Sequence, residues 1–154
     1  GEASEPGDFV DKEGKVLGRH KGQIHYTIGQ RRGLGIAAPE SLYVCGKSLD
    51  TNKVILGGKD DLMSNYCYIN DINLIPWNHL DKPIQCKVKT RYRQPEQPAT
   101  VEQLGDDLIK ITFQEPQRAV TPGQAAVLYD RDMVLGGGTI LSEEAAAKAV
   151  ASTN

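Results

Sequence analysis

The sequence contains little cysteine and no long hydrophobic segment. Its three cysteines, Cys45, Cys67 and Cys86, are widely spaced, and no Cys-x-x-Cys pair or Cys/His cluster accompanies them. An odd, sparse set argues against a disulfide framework or a zinc site and favours a reducing cytoplasm. The absence of a zinc-type cluster leads us to expect no bound metal. No apolar run approaches the ~20 residues of a membrane span, so we also expect no membrane partner.

Signals for targeting and for catalysis are also absent. The chain has no basic start and no apolar signal-peptide stretch, and the absence of an initiating Met suggests a trimmed or internal start. It has no Gly-x-Ser-x-Gly sequence and no obvious carboxylate pair, and its histidines His20, His25 and His79 are isolated. We therefore expect no catalytic residue in these 154 residues, and no ligand set or cofactor loop supports a metal or flavin enzyme.

Short β-type runs dominate what is present. Helical periodicity is nearly absent before residue 142, and Gly, Pro, Asn and Asp interrupt the apolar stretches at short intervals. This pattern predicts an all-β fold made of two small β-barrel-like domains. The predicted strands include 15–18, 24–28, 42–45 and 54–57, with a hairpin turn at 50–52, and then 66–75, 84–93, 99–103, 108–113, 124–129 and 133–135.

The same pattern suggests a domain boundary near residues 68–73. It divides the chain into a first β domain (1–69) and a C-terminal β-barrel (70–141). Residues 142–154 form an Ala-rich tail, with which a frayed helix and disorder are both compatible.

A net charge of −2 conceals two basic windows that contain no acidic residue. Residues 14–35 and 82–95 together hold ten of the 18 Lys and Arg residues. On a strand covering 84–93, Lys87, Lys89, Arg91 and Arg93 would line one side at ~6.8 Å spacing, close to the phosphate spacing of a nucleic-acid strand. This indicates RNA or DNA contact, with Tyr92 as a stacking platform. The alternative is a solvated outer barrel face.

Two further segments have ambiguous patterns. The loop from Gln30 to Gly35 presents Arg31 and Arg32 between glycines, and it is neither a Walker loop nor a dinucleotide fingerprint. Its backbone N–H groups could approach phosphate, or it could be a tight β-connection with two exposed arginines. Gln124 follows a Thr-Pro-Gly turn and could bind a base, although a turn residue alone explains it.

Five blocks of the sequence, in order, closely resemble the bacterial tRNA-specific 2-thiouridylases. The blocks are 14–22, 26–36, 88–93, 119–127 and 135–140, and the resemblance runs from about Pro6 to Ile140. It implies that the chain corresponds to the central domain and the C-terminal β-barrel of that family, and that the barrel is similar to barrel domains of translation factors.

The resemblance also implies a reaction. These enzymes replace the C2 oxygen of the wobble uridine of certain tRNAs with sulfur. An N-terminal domain binds ATP, with magnesium, through a Ser-Gly-Gly-x-Asp-Ser loop and adenylates the uracil oxygen. A cysteine persulfide then delivers sulfur and a second cysteine resolves it, which forms a disulfide during the cycle. The sulfur arrives from a cysteine desulfurase or through sulfur-relay proteins.

This chain departs from the family at the catalytic residues. It has no Ser-Gly-Gly-x-Asp-Ser loop, and its three cysteines match neither family cysteine. The resemblance therefore implies that ATP and the chemistry belong to a preceding domain, and that the present residues are catalytically inactive alone.

The family's tRNA-contacting residues fall on three positions of this chain. Its Arg-Tyr pair falls on Arg91 and Tyr92, and the glutamine of its Pro-Gly-Gln turn falls on Gln124.

Two hypotheses for the function follow. The chain is either the tRNA-binding portion of a cytoplasmic 2-thiouridylase or a stand-alone RNA-binding β-barrel adaptor of translation or RNA metabolism. An upstream Ser-Gly-Gly-x-Asp-Ser loop and two cysteines in the reading frame would discriminate them. Further RNA contacts are expected at Lys87, Lys89, Arg93, Arg31 and Arg32.

Overall fold

A computed structural model describes residues 4–38, 40–48 and 50–153, and the chain divides into two compact units between Met63 and Ser64. The described residues form ten strands and a single α-helix, so the predicted all-β class is confirmed. The predicted boundary between residues 69 and 70 lies inside a long strand, Met63–Leu74.

The first unit is a four-stranded mixed sheet. Its order is β2-β1-β4-β3, in which β1 and β4 are parallel and the other neighbours antiparallel. Apolar side chains alternate along the strands, and Phe9, Val44, Val54 and Leu56 are fully buried in one cluster. The strands are β1 (Gly7–Val10), β2 (Val16–His20), β3 (Tyr43–Ser48) and β4 (Lys53–Gly57).

The strand predicted over 24–28 is wrong. A 3₁₀ helix, Gln23–His25, covers the start of this segment, and residues 26–28 are not in a strand. The backbone turns at Gly22, whose φ of 126° favours glycine, and the Gln23 side chain donates to the Ser48 carbonyl. Tyr26 then enters the core edge-on to Phe9, with ring centroids 5.1 Å apart. Tertiary packing of Gln23 and Tyr26 therefore overrides the β propensity of this apolar run.

The second unit is a closed six-stranded barrel with the order β10-β5-β8-β7-β6-β9. Alternate residues of its strands fill the interior, including Ile69, Val88, Val101 and Leu128. The barrel closes through non-consecutive pairs, β6 with β9 and β10 with β5. Its strands are β5 (Met63–Leu74), β6 (Ile84–Lys89), β7 (Gln97–Gly105), β8 (Leu108–Arg118), β9 (Ala125–Asp130) and β10 (Met133–Ile140).

The glycines of β10 allow the neighbouring strands to approach closely. A Cβ at Gly136 would lie 2.0 Å from the Asn73 carbonyl oxygen, and Gly136 has a φ of 139°. The register shifts on both sides of this segment, between Val134 and Gly136 against β9 and between Gly137 and Thr139 against β5. Such shifts are typical of β-bulges, which glycine readily accommodates.

The Ala-rich tail forms a helix, α1 (Glu143–Ser152), which is one of the two alternatives open from the sequence. The Ser142 hydroxyl caps it by accepting a hydrogen bond from the Ala145 N–H at 3.1 Å. Ala146 is buried, and at the other end of the helix Thr153 lies against Gly105. Small side chains thus let the helix lie close to the barrel wall.

Candidate nucleic-acid interface

β6 places its basic residues on the outside of the barrel. Lys87 is exposed and Lys89 half-exposed, whereas Val88 between them is buried in the core. The strand ends at Lys89, so the prediction of one basic strand reaching residue 93 is wrong for Arg91 and Arg93. The chain turns because Thr90 is buried and the Gln94 N–H donates to the Arg91 carbonyl.

The segment from Thr90 to Glu96 is therefore a projecting loop, which we call the β6–β7 loop. Arg91, Tyr92 and Arg93 are all exposed on it, and Tyr92 keeps 91% of its surface accessible. The Lys89 ammonium lies 5.8 Å from the centroid of the Tyr92 ring, a cation–π contact. Together with Gln94, these exposed residues line a shallow depression of about 400 Å³.

Gln124 lies at the same end of the barrel as this loop. β9 runs antiparallel to β6, with Lys89 opposite Val127. The β6–β7 loop follows Lys89 and the Gln124 turn precedes Val127, so both leave the β6–β9 ladder at one end. The turn is held by backbone hydrogen bonds from Gln124 N–H to Thr121 and from Ile140 N–H to Gln124, and the Gln124 side chain is exposed.

The positive charges near this end of the barrel are not neutralised by carboxylates of the described residues. Within the described part of the chain, Lys87, Lys89, Arg91 and Arg93 have no carboxylate within ion-pair distance. Unpaired surface cations attract a polyanion at long range, and their contribution falls as salt rises. The alternation of basic residues in the sequence identified these four positions. It did not predict the Lys89–Tyr92 contact, because that contact requires the turn after Thr90.

The thiols are poorly suited to chemistry. Burial raises the pKa of Cys67 to about 12, and burial is also the main reason that the pKa values of Cys45 and Cys86 rise to about 11. A thiolate is the reactive form, and these raised pKa values keep the three thiols protonated at neutral pH. Among the described residues, no group of three or more His, Cys, Asp and Glu side chains could hold a metal ion.

In the first unit, the loop from Gln30 to Gly35 is anchored from both sides. The Gln30 side chain accepts from the Thr27 N–H and donates to the Arg32 carbonyl, and Leu34 is buried in the core. Arg31 and Arg32 are left exposed between these anchors. A cavity of about 610 Å³ is lined by Arg31 and by residues 33–38 and 40–42.

Comparison with known proteins matches each unit to a domain family. A model of the tRNA methyl transferase PRC-barrel domain matches residues 2–58, and one of the aminomethyltransferase β-barrel domain matches residues 64–140. Relatives over most of the chain include tRNA-specific 2-thiouridylase MnmA 2 of Clostridium botulinum (strain Loch Maree), 46% identical over 87% of this chain, and tRNA-specific 2-thiouridylase MnmA of Picosynechococcus, 49% identical over 91%. The enzyme of the same name from Carboxydothermus hydrogenoformans is 44% identical over 91%.

These matches and the closed barrel place the chain among proteins of the tRNA methyl transferase PRC-barrel and aminomethyltransferase β-barrel type. More particularly, the chain belongs to the tRNA-specific 2-thiouridylase family. It spans 38–40% of the length of these relatives. No helix among the described residues is long and apolar enough to cross a membrane.

Proposed function

We propose that this chain binds tRNA through the end of the barrel that carries the β6–β7 loop and the Gln124 turn. The observation that carries the proposal is that Arg91, Tyr92 and Gln124 project from one end of the β6–β9 ladder. The arginine and the neighbouring lysines offer charge to phosphates, the tyrosine offers a ring face to a base, and the glutamine offers a neutral hydrogen bond.

In this proposal the chain is the RNA-binding portion of a 2-thiouridylase. The whole enzyme would convert C2 of a wobble uridine to the thiocarbonyl, using ATP and a cysteine persulfide whose sulfur comes from a cysteine desulfurase or relay proteins. None of this chain's residues is assigned to that chemistry. Its sequence lacks the Ser-Gly-Gly-x-Asp-Ser loop, so the proposal assigns ATP binding to another part of the enzyme. The tRNA substrate and three free thiols accord with a cytoplasmic protein.

The test is a titration of the 154-residue chain with a tRNA that carries a wobble uridine, at several salt concentrations. Arg91→Ala is expected to weaken binding by about 1–3 kcal/mol and to reduce the salt slope by about 1, because one phosphate contact is lost. The matched control is Lys82→Ala, which removes an exposed positive charge in the loop before β6, at the opposite end of the barrel.

The two variants separate the proposal from nonspecific attraction. Equal losses in Arg91→Ala and Lys82→Ala would mean that overall charge governs binding, and the proposed end of the barrel would be wrong. Wild-type affinity of Arg91→Ala at every salt concentration would remove Arg91 from the interface. Restoration of thiolation by adding this chain to a separate catalytic domain would favour the enzyme over a stand-alone adaptor.

A further inference from the structure

A second aromatic and basic cluster lies on the barrel wall, formed by Tyr66 and Tyr68 of β5 and Lys110 of β8. The two tyrosines are separated by one residue, so they share a face of the strand, and Cys67 between them is buried. Lys110 likewise alternates with the buried residues Ile109 and Ile111. All three side chains therefore belong to the outer surface of the barrel.

The three side chains are arranged around one ammonium group. The Lys110 Nζ lies 5.0 Å from the centroid of the Tyr66 ring and 5.8 Å from that of Tyr68. The rings meet edge-to-face, with centroids 5.7 Å apart and an interplanar angle of 84°. The cation is thus held over two ring faces, and the edge-to-face contact fixes their orientation.

Packing of the barrel does not account for the exposure of this cluster. Tyr66 retains 51% of its accessible surface, which leaves about half of the residue open to solvent. Lys110 stands opposite Glu102 on β7, yet no ion pair between them is present in the described part of the chain. The lysine contacts the aromatic rings instead, and its charge stays available to a ligand.

We infer that Tyr66, Tyr68 and Lys110 form a stacking site for unpaired nucleobases of RNA, separate from the β6–β7 loop. Aromatic side chains standing on the outer face of a sheet bind single-stranded bases by stacking, and a nearby cation attracts the adjoining phosphate. β5 begins at the same end of the barrel as the β6–β7 loop, and Tyr66 is its fourth residue. An RNA lying across that end could continue along this wall. The inference rests on the proposed function in taking RNA as the ligand.

The test follows the tyrosine ring signals of the 154-residue chain by NMR during titration with two probes. One probe is an oligouridylate of eight nucleotides, and the other is an abasic strand of the same length and charge. We expect the Tyr66 and Tyr68 ring signals to shift with oligouridylate, because base ring currents act on them, and not with the abasic strand. Equal shifts with both strands would overturn stacking.

Substitutions identify the interactions. Tyr66→Ala should raise the dissociation constant for oligouridylate, read from the Tyr68 signals, by about 5- to 150-fold. Tyr66→Phe keeps the ring and should stay within about 2-fold. Lys110→Gln should reduce the salt slope by about 1. Ile75→Ala, which changes an exposed apolar residue at the opposite end of the barrel, is the matched control and should have no effect. Equal affinity of Tyr66→Ala and the unaltered chain would overturn the inference.

Failure of this inference can be told apart from failure of the proposed function. Shifts at Tyr92 without shifts at Tyr66 and Tyr68 would overturn the stacking site and leave the end of the barrel as the RNA surface. Shifts at neither place, up to millimolar oligouridylate and with tRNA, would overturn both. Concentration-dependent shifts of Tyr66 and Tyr68 without RNA, and none on its addition, would assign the cluster to self-association instead.

Discussion

Lys89 and Val127 are opposite each other in the β6–β9 ladder, although 37 residues of chain separate them. This pairing brings the β6–β7 loop and the Gln124 turn to one end of the barrel. A loop rich in arginine and a neutral turn residue, each weakly informative alone, thereby become parts of one surface.

Gln124→Ala should weaken tRNA binding without changing its salt dependence. The Gln124 side chain is exposed and uncharged, so its removal costs a hydrogen bond, about 0.5–1.5 kcal/mol, and releases no counterion. The measurement is the same salt-dependent titration used for Arg91→Ala. Gln85→Ala, an exposed glutamine at the other end of β6, is the control. A changed salt slope in Gln124→Ala would contradict the assigned role.

Gly136→Ala should destabilise the barrel by about 3 kcal/mol or more. The new Cβ would collide with the Asn73 carbonyl, and the φ of 139° is unfavourable for an L side chain. Urea unfolding measures the loss. Gly123→Ala isolates the backbone contribution, because Gly123 has a φ of 87° but no atom within 4 Å of its Cβ position. If both variants lost the same free energy of unfolding, the close approach of Gly136 to β5 would make no contribution to the loss.

Alkaline pH should destabilise the barrel through Cys67. Burial raises the pKa of this thiol from its ordinary value of 9.0 to about 12, so the unfolded chain loses the proton first. Below pH ~9 the protonated thiol makes its full contribution to the free energy of unfolding. This contribution is lost as the pH rises toward ~12, with a slope of at most about 1.4 kcal/mol per pH unit. Cys67→Ala should show a shallower decline of the free energy of unfolding over this range. Parallel curves for the two proteins would refute the assignment.

Ser142→Ala should loosen α1 while leaving the barrel folded. The substitution removes the N-cap hydrogen bond to Ala145, a loss of about 0.5–2 kcal/mol. Amide hydrogen exchange should therefore accelerate in the first turn of the helix and stay unchanged in β6 and β9. Ser152→Ala is the control, because that hydroxyl donates to the Lys148 carbonyl near the last turn. Unchanged exchange at Ala145 and Ala146 would contradict a capping role.

Local sequence patterns predicted the strands well where pairing is between neighbours. The hairpin formed by β3 and β4 has its turn at the predicted residues 50–52, where Asn52 adopts a φ of 54°. The Ile24–Ile28 segment was misassigned because Tyr26 packs against Phe9 and the preceding Gln23 bonds to the Ser48 carbonyl, and no local pattern encodes these contacts.

The end of β6 shows the same limit at the candidate site. Basic residues alternate through Arg93, but the strand stops at Lys89, and Pro95 was the only local sign of a break. The proximity of Gln124 could not be predicted either, because it depends on a pairing between strands that are not consecutive. Residue types at the interface were thus predictable from the sequence, whereas their arrangement depended on barrel closure.

Under the proposed function, barrel closure also couples RNA binding to folding. The β6–β9 and β10–β5 pairs join residues distant in sequence. The entropy lost on closing these long loops is therefore offset only by the contacts of the complete barrel. The β6–β7 loop and the Gln124 turn occupy their relative positions only in that state. A ligand that contacts both must bind the closed barrel in preference to any partly open form, and the midpoint of thermal unfolding should rise with its concentration.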